Sequence, residues 1–481
     1  MNRKYSQGIK IVLAVLLMSG WTLKITRANG AIQKNVYNVR EYGAVSDGKT
    51  DNALAIQKAI DACSKAGGGQ VLFDGTDPGR GNIFMTGHIT VKSNVDLHIN
   101  GGVRLQANPD PKVYTLSAFR ANKAEGTMWI SGEHIKNFSI TGNGIIDGNG
   151  VSFMGAELDD SYVLKPFEEV DPRPHVLTLI DGQNIRINNV QIVNAAYWTI
   201  HLVGCEDVVI SDVSLINNLK VRNSDGIDID HSKNVRISDC HIESGDDCIC
   251  LKNRREYANF GRCENITVAN CLLTSRSCAI KIGSENMDTI RNVVFNNCII
   301  SNSNRGIGIQ NRDEGVVENV LFSNMIIEGR LFSDVWWGKA EPIYVTAYRR
   351  AMSTNKDASM RFPDGALQGR VGKICNIYFT NIKCNSENGV YVSGESLNKI
   401  DNIVFDNVDV HIDKTTTFPG GIYDRRPAEV EGFVKGKTAG FYFDTVGKIT
   451  VRNCSVTWGE NKPAYYGDSL YQNKVRRLIW K

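Results

Sequence analysis

Three aspartates in two short motifs have the residue type and spacing for acid–base chemistry. Asp225 lies in the run Asn-Ser-Asp-Gly-Ile-Asp-Ile-Asp, and Asp246 and Asp247 lie 21 residues further on in the run Ser-Gly-Asp-Asp-Cys-Ile-Cys-Leu-Lys. Hydrolysis of a glycosidic bond needs one protonated carboxyl for the leaving oxygen and one ionised carboxylate for water or the anomeric carbon. If the two runs lie side by side, their like charges raise at least one pKa and supply both forms.

The elements that must position these runs are short strands of an internal repeat. Each copy begins with Asn or Asp, continues with alternating aliphatic residues, and passes through a polar pair into a second apolar run. Copies begin at residues 184, 207, 234, 265, 292, 319, 376 and 402, and a weaker copy begins at Lys448. Most intervals are 23 to 31 residues, and β-branched residues dominate. This pattern predicts an all-β solenoid, a parallel β-helix.

In a parallel β-helix, successive coils lie about 4.8 Å apart and alternate residues point inward and outward. Ile227 and Ile229 would then pack inward, and the carboxylates of two consecutive coils would meet on the surface. The alternative is that these acids are turn residues, or calcium ligands between coils. Two insertions, 328–375 and 411–447, interrupt the repeat, and such insertions often form the binding face.

The first residues of the chain resemble a secretory signal. Residues 1–30 combine a basic start, an apolar run too short to span a bilayer, and small residues at its end. Residues 31–481 show no linker, so we expect a single catalytic domain. Thr50 or Asp51 can begin a helix that runs to about Ala66 and stops at a triplet of glycines. Its predicted apolar face consists of Leu54, Ala55, Ala59, Ile60 and Cys63. We expect this N-terminal helix to cap the solenoid and cover its strand edges.

Charge and cysteine content limit the partners of the chain. Residues 1–30 hold five basic residues and no acidic ones, so the net charge of +3 becomes −2 without them. A nearly neutral protein has no general attraction to nucleic acid. The twelve cysteines recur at repeat positions, which favours buried free thiols, although a pair such as Cys250 with Cys278 remains open. The scattered histidines show no metal-ligand spacing, so we expect neither a metal nor a cofactor.

Several motifs resemble those of the polygalacturonase family of pectin hydrolases, glycoside hydrolase family 28. The segment 37–63 resembles the N-terminal signature of the family, and 142–150 (Gly-Asn-Gly-Ile-Ile-Asp-Gly-Asn-Gly) resembles its early coils. The segment 194–208 resembles the exo-acting members. The two aspartate runs resemble its Asn-Thr-Asp motif, with Ser224 for Thr, and its Gly-Asp-Asp motif. The likeness extends from about Asn35 to the last coils.

The resemblance implies a right-handed β-helix and a role for each acidic residue. Asp246 would be the general acid. Asp225 and Asp247 would hold and deprotonate the attacking water, with inversion at the anomeric carbon. The resemblance also implies three supporting residues around the cleft: Asn223, His201 and Lys252.

Two motifs of the family are absent. Ser277 or Cys278 takes the histidine position of a Gly-His-Gly motif, and Gly308 and Gln310 take the basic positions of an Arg-Ile-Lys motif. In the family, that basic pair grips the uronate carboxylate on the leaving side, so a charge-assisted clamp is lost. The basic residues that can replace the clamp or serve only as structural charges are Arg276, Lys281 and Arg305. Trp336 and Trp337 can stack on a sugar or belong to the core.

Together these features predict a secreted or periplasmic inverting glycoside hydrolase. Its substrate would be a pectic polysaccharide or oligosaccharide with galacturonate- or rhamnogalacturonan-type linkages, attacked from a chain end. We expect a monomer that binds neither nucleic acid nor, after signal cleavage, a membrane. The alternatives are a β-helix polysaccharide lyase assisted by calcium, and a carbohydrate-binding β-helix without catalysis.

Overall fold

The computed structural model describes residues 35–75, 82–120, 125–166, 171–351 and 369–481. The described residues from 35 to 481 form one compact unit, in which 34 strands join a continuous sheet that winds from coil to coil. The pairings within this sheet are parallel, as in the right-handed parallel β-helix that we predicted. The predicted signal segment lies outside the described residues. Within them, no helix has the length and apolar character needed to cross a bilayer.

The strands of successive coils stack into three parallel sheets, one on each side of the solenoid. The first sheet contains Val36–Asn38, Gly69–Phe73, Val95–Ile99, Lys136–Gly142, Gln183–Asn188, Glu206–Ser211, Lys233–Ser238, Cys263–Ala269 and Thr289–Asn296. The second sheet contains Asp47–Asp51, Ile83–Thr86, Arg104–Ala107, Ile145–Asp147, Gln191–Val193, Ser214–Ile216, His241–Ser244, Leu272–Ser275, Ile299–Ser303 and Ser455–Trp458. The long strands Val316–Gly329, Ile374–Ser386 and Ile400–Ile412 run through both.

The third sheet contains the two strands that follow Asp225 and the pair Asp246 and Asp247. It contains Ile89–Thr90, Thr127–Glu133, Pro174–Ile180, Ile200–Val203, Ile227–Asp230, Ile249–Asn253, Cys278–Asn286, Arg305–Asn311, Glu341–Ala347 and Val390–Gly394. Phe441–Arg452 and Leu470–Trp480 join the third sheet to the first. The antiparallel pairs Met154–Glu157 with Tyr162–Leu164 and Ile422–Asp424 with Phe433–Lys435 lie outside the solenoid sheet. Short 3-10 helices span Val39–Tyr42, Pro111–Val113, Gly150–Phe153 and Arg255–Phe260.

Identical side chains stack along the axis of the solenoid. The rings of Phe295, Phe322, Phe379 and Phe405 lie 5.2, 5.1 and 5.0 Å apart and are nearly parallel. At the turns between the first and second sheets, the side-chain amide of Asn297 donates to Asn270 at 2.8 Å. Both asparagines have positive φ angles, which asparagine tolerates better than most residues. Asn270 and Asn297 are therefore turn residues that bond from coil to coil.

A helix spans Ala53–Lys65, close to the predicted bounds. Its buried face consists of Ile56, Ala59, Ile60 and Cys63. Leu54, which the sequence pattern placed on the apolar face, is 80% exposed because it lies on the opposite side of the first turn. That this helix covers the end of the solenoid stays a prediction.

The cysteines are all free thiols, and ten of the twelve are buried. The thiol of Cys250 donates to the carbonyl of Gly283 at 3.1 Å, and that of Cys278 donates to the carbonyl of Ile280 at 3.0 Å. The two thiols thus point to different backbone acceptors, and the possible disulfide between them does not form. The prediction of buried free thiols is confirmed.

Candidate active site

Two adjacent strands of the third sheet, which begin at Ile227 and Ile249, position the three carboxylates. Asp225 and Asp247 each lie two residues before a strand, and Asp246 lies one residue earlier. One oxygen of each carboxylate lies within 4.8 Å of the other two. The solenoid therefore brings together acids that are 21 residues apart in the chain.

Glycines in both motifs allow the turns to pack this closely. A Cβ atom at Gly226 would lie 2.3 Å from the carbonyl oxygen of Cys248. A Cβ atom at Gly245 would lie 2.1 Å from the carbonyl oxygen of Val221. These distances are too short for any side chain, so both glycines are needed for the two carboxylate-bearing turns to touch.

Serine hydroxyls fasten the two turns to each other. The backbone N–H of Gly245 donates to the hydroxyl of Ser224 at 3.1 Å. The hydroxyl of Ser244 donates to the carbonyl of Ser224 at 2.7 Å. Ser224 therefore holds both turns, and its hydroxyl takes the place of the threonine hydroxyl in the related motif.

Burial raises the pKa values of two of the three carboxyls, Asp225 and Asp246. Burial, and next the charge of Asp247, raise the pKa of Asp246 to about 6, against the opposing effect of Lys281. Burial also raises the pKa of Asp225 well above its usual range, with added repulsion from Asp228 and Asp246. In mildly acidic solution these two carboxyls can therefore carry protons.

Two lysines form ion pairs beside the carboxylates. The ammonium of Lys281 lies 2.7 Å from a carboxylate oxygen of Asp247. The ammonium of Lys252 lies 2.8 Å from Asp228 and 3.7 Å from the ring centre of Trp198. Lys281 points outward, because it alternates with the buried Ile280 and Ile282 on its strand. Its direct partner is an acid of the site, so it can hold that acid in position.

The carboxylates lie in a cavity of about 550 Å³ that crosses the third sheet. We call the residues that precede the strands the start edge: Arg222, Asn223, Asp225, Asp246, Asp247 and Ser277. We call the residues that close the strands the end edge: Lys252, Arg254, Ser284, Glu285 and Arg350. Lys281 lies between the edges. The remaining wall consists of Phe119, Glu125, Tyr197, Trp198, Val335, Trp336, Trp337 and Pro427.

The end edge contains charged residues that the sequence analysis missed. Arg350 donates twice to Asp313, at 2.9 Å each, and contacts the hydroxyl of Ser284 at 3.3 Å. Arg254 forms an ion pair with Glu256 at 2.6 Å. Arg254 follows Lys252 at the same strand parity, which was a usable signal. Arg350 comes from an insertion outside the repeat, where no periodic signal exists.

Both insertions of the repeat reach the cavity, as predicted. Val335, Trp336 and Trp337 come from the first, and Pro427 comes from the second. Trp336 is buried, and its ring N–H donates to the carbonyl of Asp160 at 3.1 Å, so it anchors the insertion. Trp337 is only partly buried and can offer its ring face to a sugar.

Three predicted site residues are not among the described residues that line the cavity. His201 is fully buried, its Nε2 lies 3.4 Å from Asp230, and its ring contacts Trp198 edge-to-face, with the ring centres 4.9 Å apart. Arg305 is buried and forms an ion pair with Glu341 at 3.2 Å. Arg276 stacks over Phe332, with its guanidinium 4.3 Å from the ring centre. The repeat register showed the coil of each residue but not the direction of its side chain.

Asn223 lies on the start edge and accepts a hydrogen bond from Arg173 at 3.2 Å. Its φ angle is +60°, a conformation that asparagine adopts more readily than most residues. The structure thus places it next to Asp225, with its amide held by a buried arginine. This placement is compatible with the supporting role that the resemblance implies.

Gly308 and Gln310, at the positions where the family motif has basic residues, are both closely packed within the protein. A Cβ atom at Gly308 would lie 2.7 Å from the sulfur of Cys278, so even a small side chain would require a shift. Gln310 is 1% exposed and does not line the cavity. Gly308 lies opposite Lys281 on the neighbouring strand. The cavity cation in this part of the sheet is therefore one coil earlier than in the related motif.

The carboxylate cluster also has the spacing of a cation site. Oxygens within 4.8 Å of one another can share a hard divalent ion. However, Lys281 already occupies one side of the cluster with its ammonium. Two of the three acids have pKa values raised by burial, which opposes the ionised state that a metal needs. The donor set fits acid–base chemistry better than cation binding.

Comparison with known proteins agrees with the motifs. The model of the family described as "Glycosyl hydrolases family 28" matches residues 77–419. A probable polygalacturonase of Vitis vinifera is 31% identical over 228 residues, 44% of this chain and 43% of that protein. An exopolygalacturonase of Zea mays is 29% identical over 216 residues, 45% of this chain and 48% of that protein. The matched stretch thus spans less than half the length of these curated relatives.

Solved structures share the fold at lower identity. A family 28 exopolygalacturonase of Yersinia enterocolitica superposes with a TM-score of 0.67 at 17% identity, covering 92% of this chain and 78% of that one. A hyperthermoactive exopolygalacturonase of Thermotoga maritima superposes with a TM-score of 0.63 at 22% identity, covering 79% and 87%. At these identities the superpositions establish the β-helix fold.

Proposed function

The chain belongs to glycosyl hydrolases family 28, and from that premise we propose that it hydrolyses glycosidic bonds of a pectic polysaccharide or oligosaccharide. The observation that carries the proposal is the cluster of Asp225, Asp246 and Asp247 inside a cavity lined by cations. Hydrolysis requires a protonated and an ionised carboxyl. Burial favours the protonated form of Asp246, whereas the carboxylate of Asp247 faces the ammonium of Lys281. The cavity cations fit a substrate that carries carboxylates.

In the proposed mechanism, Asp246 donates its proton to the leaving oxygen. Asp247, whose carboxylate faces the ammonium of Lys281, accepts a proton from the attacking water. Asp225 holds that water by a hydrogen bond. Asp246 ends ionised and Asp247 ends protonated, and proton exchange with solvent restores both.

We propose inversion at the anomeric carbon, although carboxyl groups of inverting enzymes are typically ~6.5–9.5 Å apart. The closest oxygens here lie within 4.8 Å. That spacing rule describes two carboxyls, whereas here two acids can hold one water while the third serves the leaving group. The departures at Gly308 and Gln310 favour a decorated or rhamnose-containing chain over smooth galacturonan. The bounded cavity, with tryptophans from an insertion in its wall, favours attack at a chain end.

The test is the product profile on homogalacturonan, rhamnogalacturonan and their oligomers, with the product anomer followed by NMR. We expect inverted monosaccharide or short products from chain ends. Retained configuration would contradict the mechanism. A chelator-sensitive rise in ultraviolet absorbance would indicate a lyase, and binding without turnover would indicate a carbohydrate-binding protein.

We also propose that residues 1–30 direct export and are removed. A basic start followed by a short apolar run supports this. Expression of the full chain, followed by N-terminal sequencing of the secreted protein, tests it. An intact N-terminus on protein retained in the cytoplasm would contradict it.

A further inference from the structure

Four of the five cations that line the cavity already have carboxylate partners. Lys281 pairs with Asp247 and Lys252 pairs with Asp228. On the end edge, the two arginines also form ion pairs with carboxylates. A cation that is neutralised by the protein has less to gain from a substrate carboxylate.

Arg222 is different. Among the described residues, it is the cavity-lining cation that forms no ion pair with a carboxylate. Its Nε is buried and has no hydrogen-bond partner within the same part of the chain. A buried donor without a partner costs free energy, which a bound acceptor would recover.

The surroundings of Arg222 increase its demand for an anion. Burial, and next the charge of Arg173, lower its pKa, and the carboxylate of Asp171 opposes them only in part. Arg173 cannot share a ligand, because its own guanidinium donates to Asp171 at 2.6 to 3.0 Å. Asn223, the next residue, lies beside Asp225 on the start edge. An anion bound at Arg222 would therefore lie on the side of the cavity where the acids are.

We propose that Arg222 binds the carboxylate of a uronate ring in the cavity and so determines specificity for acidic over neutral sugars. This inference rests on the proposed function. In the family motif, the basic pair that binds the carboxylate lies within a strand, at the positions of Gly308 and Gln310 here. In this chain, the carboxylate would instead bind to Arg222, in the turn before Asp225. A planar guanidinium can engage both oxygens of the carboxylate in two parallel hydrogen bonds.

The experiment compares Arg222→Gln with Arg276→Gln. Both arginines are partly buried, and both have an unpartnered Nε, but Arg276 does not line the cavity. The substrates are a pectic oligomer with free carboxyls and the same oligomer fully methyl-esterified, which is neutral. We expect Arg222→Gln to lower kcat/KM on the free acid about 10- to 100-fold, mainly through KM. We expect little change on the ester, and no change on either substrate for Arg276→Gln.

Equal losses on both substrates, or none, would overturn the inference. Arg222→Lys should restore part of the acid preference, because it keeps the charge and loses the paired geometry. If Arg222→Gln does not fold, the wild-type chain still decides. Galacturonate should then inhibit at a concentration at least tenfold lower than galactose, and equal inhibition would overturn the inference. A wild-type chain that turns over no pectic substrate would refute the proposed function instead.

Discussion

The start edge and the end edge of the site are built in different ways. On the start edge, two glycine-tight turns place Asp225, Asp246 and Asp247 together, and short-range motifs specify all three. On the end edge, charges from separate coils and from an insertion form buried ion pairs such as Arg350 with Asp313. On the start edge, burial raises the pKa values of Asp225 and Asp246, whereas the end edge holds charges that neutralise one another. The start edge is therefore suited to proton transfer, and the end edge is suited to holding the wall of the cavity in a fixed position.

The strongest test of this contrast is Asp246→Asn on the start edge. We expect kcat to fall about 10²- to 10⁴-fold, because the general acid is lost. The folded-state pKa is raised from 3.8 to about 6, so ionisation of this carboxyl costs stability as pH rises through that window. The variant should therefore unfold at an equal or higher temperature above pH 6. The matched control is Asp239→Asn, an exposed acid in the turn between Lys233–Ser238 and His241–Ser244, which should leave kcat unchanged. A large loss of stability in Asp246→Asn would make this acid a structural turn residue.

On the end edge, Arg350→Met should act on stability. It removes the cation that pairs with the buried carboxylate of Asp313, which typically costs about 3–5 kcal/mol. Urea unfolding measures the free energy of unfolding. The control is the neighbouring Arg349→Met, whose half-exposed side chain pairs with Glu395 at 3.1 Å and should contribute about 0–1 kcal/mol. Similar small losses in both variants would remove the contrast between the edges.

Lys281 lies between the edges and should affect the pH profile. We expect kcat/KM to fall as pH rises above about 6, because Asp246 then loses the proton it donates. Lys281 lowers the pKa of Asp246, so Lys281→Met should move this alkaline limb to higher pH and also reduce kcat. The exposed Lys383→Met, on the second sheet, serves as the control and should leave the profile unchanged. An unshifted limb in Lys281→Met would separate this lysine from the chemistry.

The smallest expected effect on activity comes from a residue of the cavity wall, Trp337. Trp337→Ala should raise KM about 2- to 10-fold if its ring stacks on a sugar, with kcat nearly unchanged. Trp480, 43% exposed on the last strand, provides the control substitution, and its replacement should leave KM unchanged. An unchanged KM in Trp337→Ala would restrict the insertion to a structural role.

Much of the fold could be predicted because a stacked coil repeats its constraints. Each copy needs inward aliphatic residues and asparagine in its turns, so the pattern recurs often enough to be recognised. The phenylalanine stack and the asparagine ladders follow from the same repetition. The helix bounds were close, but Leu54 was placed on the wrong face because one residue at a helix start has little periodic context.

The site was less predictable where contacts cross the repeat. His201 and Arg305 share the third sheet with the acids, yet neither lines the cavity. His201 packs against Trp198 and Asp230, and Arg305 pairs with Glu341. Arg222 lies next to a recognised motif, but its lack of an ion pair is a property of its three-dimensional surroundings. Sequence spacing gives the coil of a charged residue, whereas burial and partners decide its role.

The sequence by itself determined the solenoid and the meeting of the three aspartates. Both depend on a period of one coil and on glycines where turns touch, and these constraints are local. Only the tertiary structure decided which charges are available to a substrate. Lys281 and Arg350 are paired within the protein, whereas Arg222 keeps an unpartnered Nε, and these differences arise from residues that are distant in the chain. Long-range ion pairing leaves no pattern in a single sequence, because any coil or insertion can supply the partner.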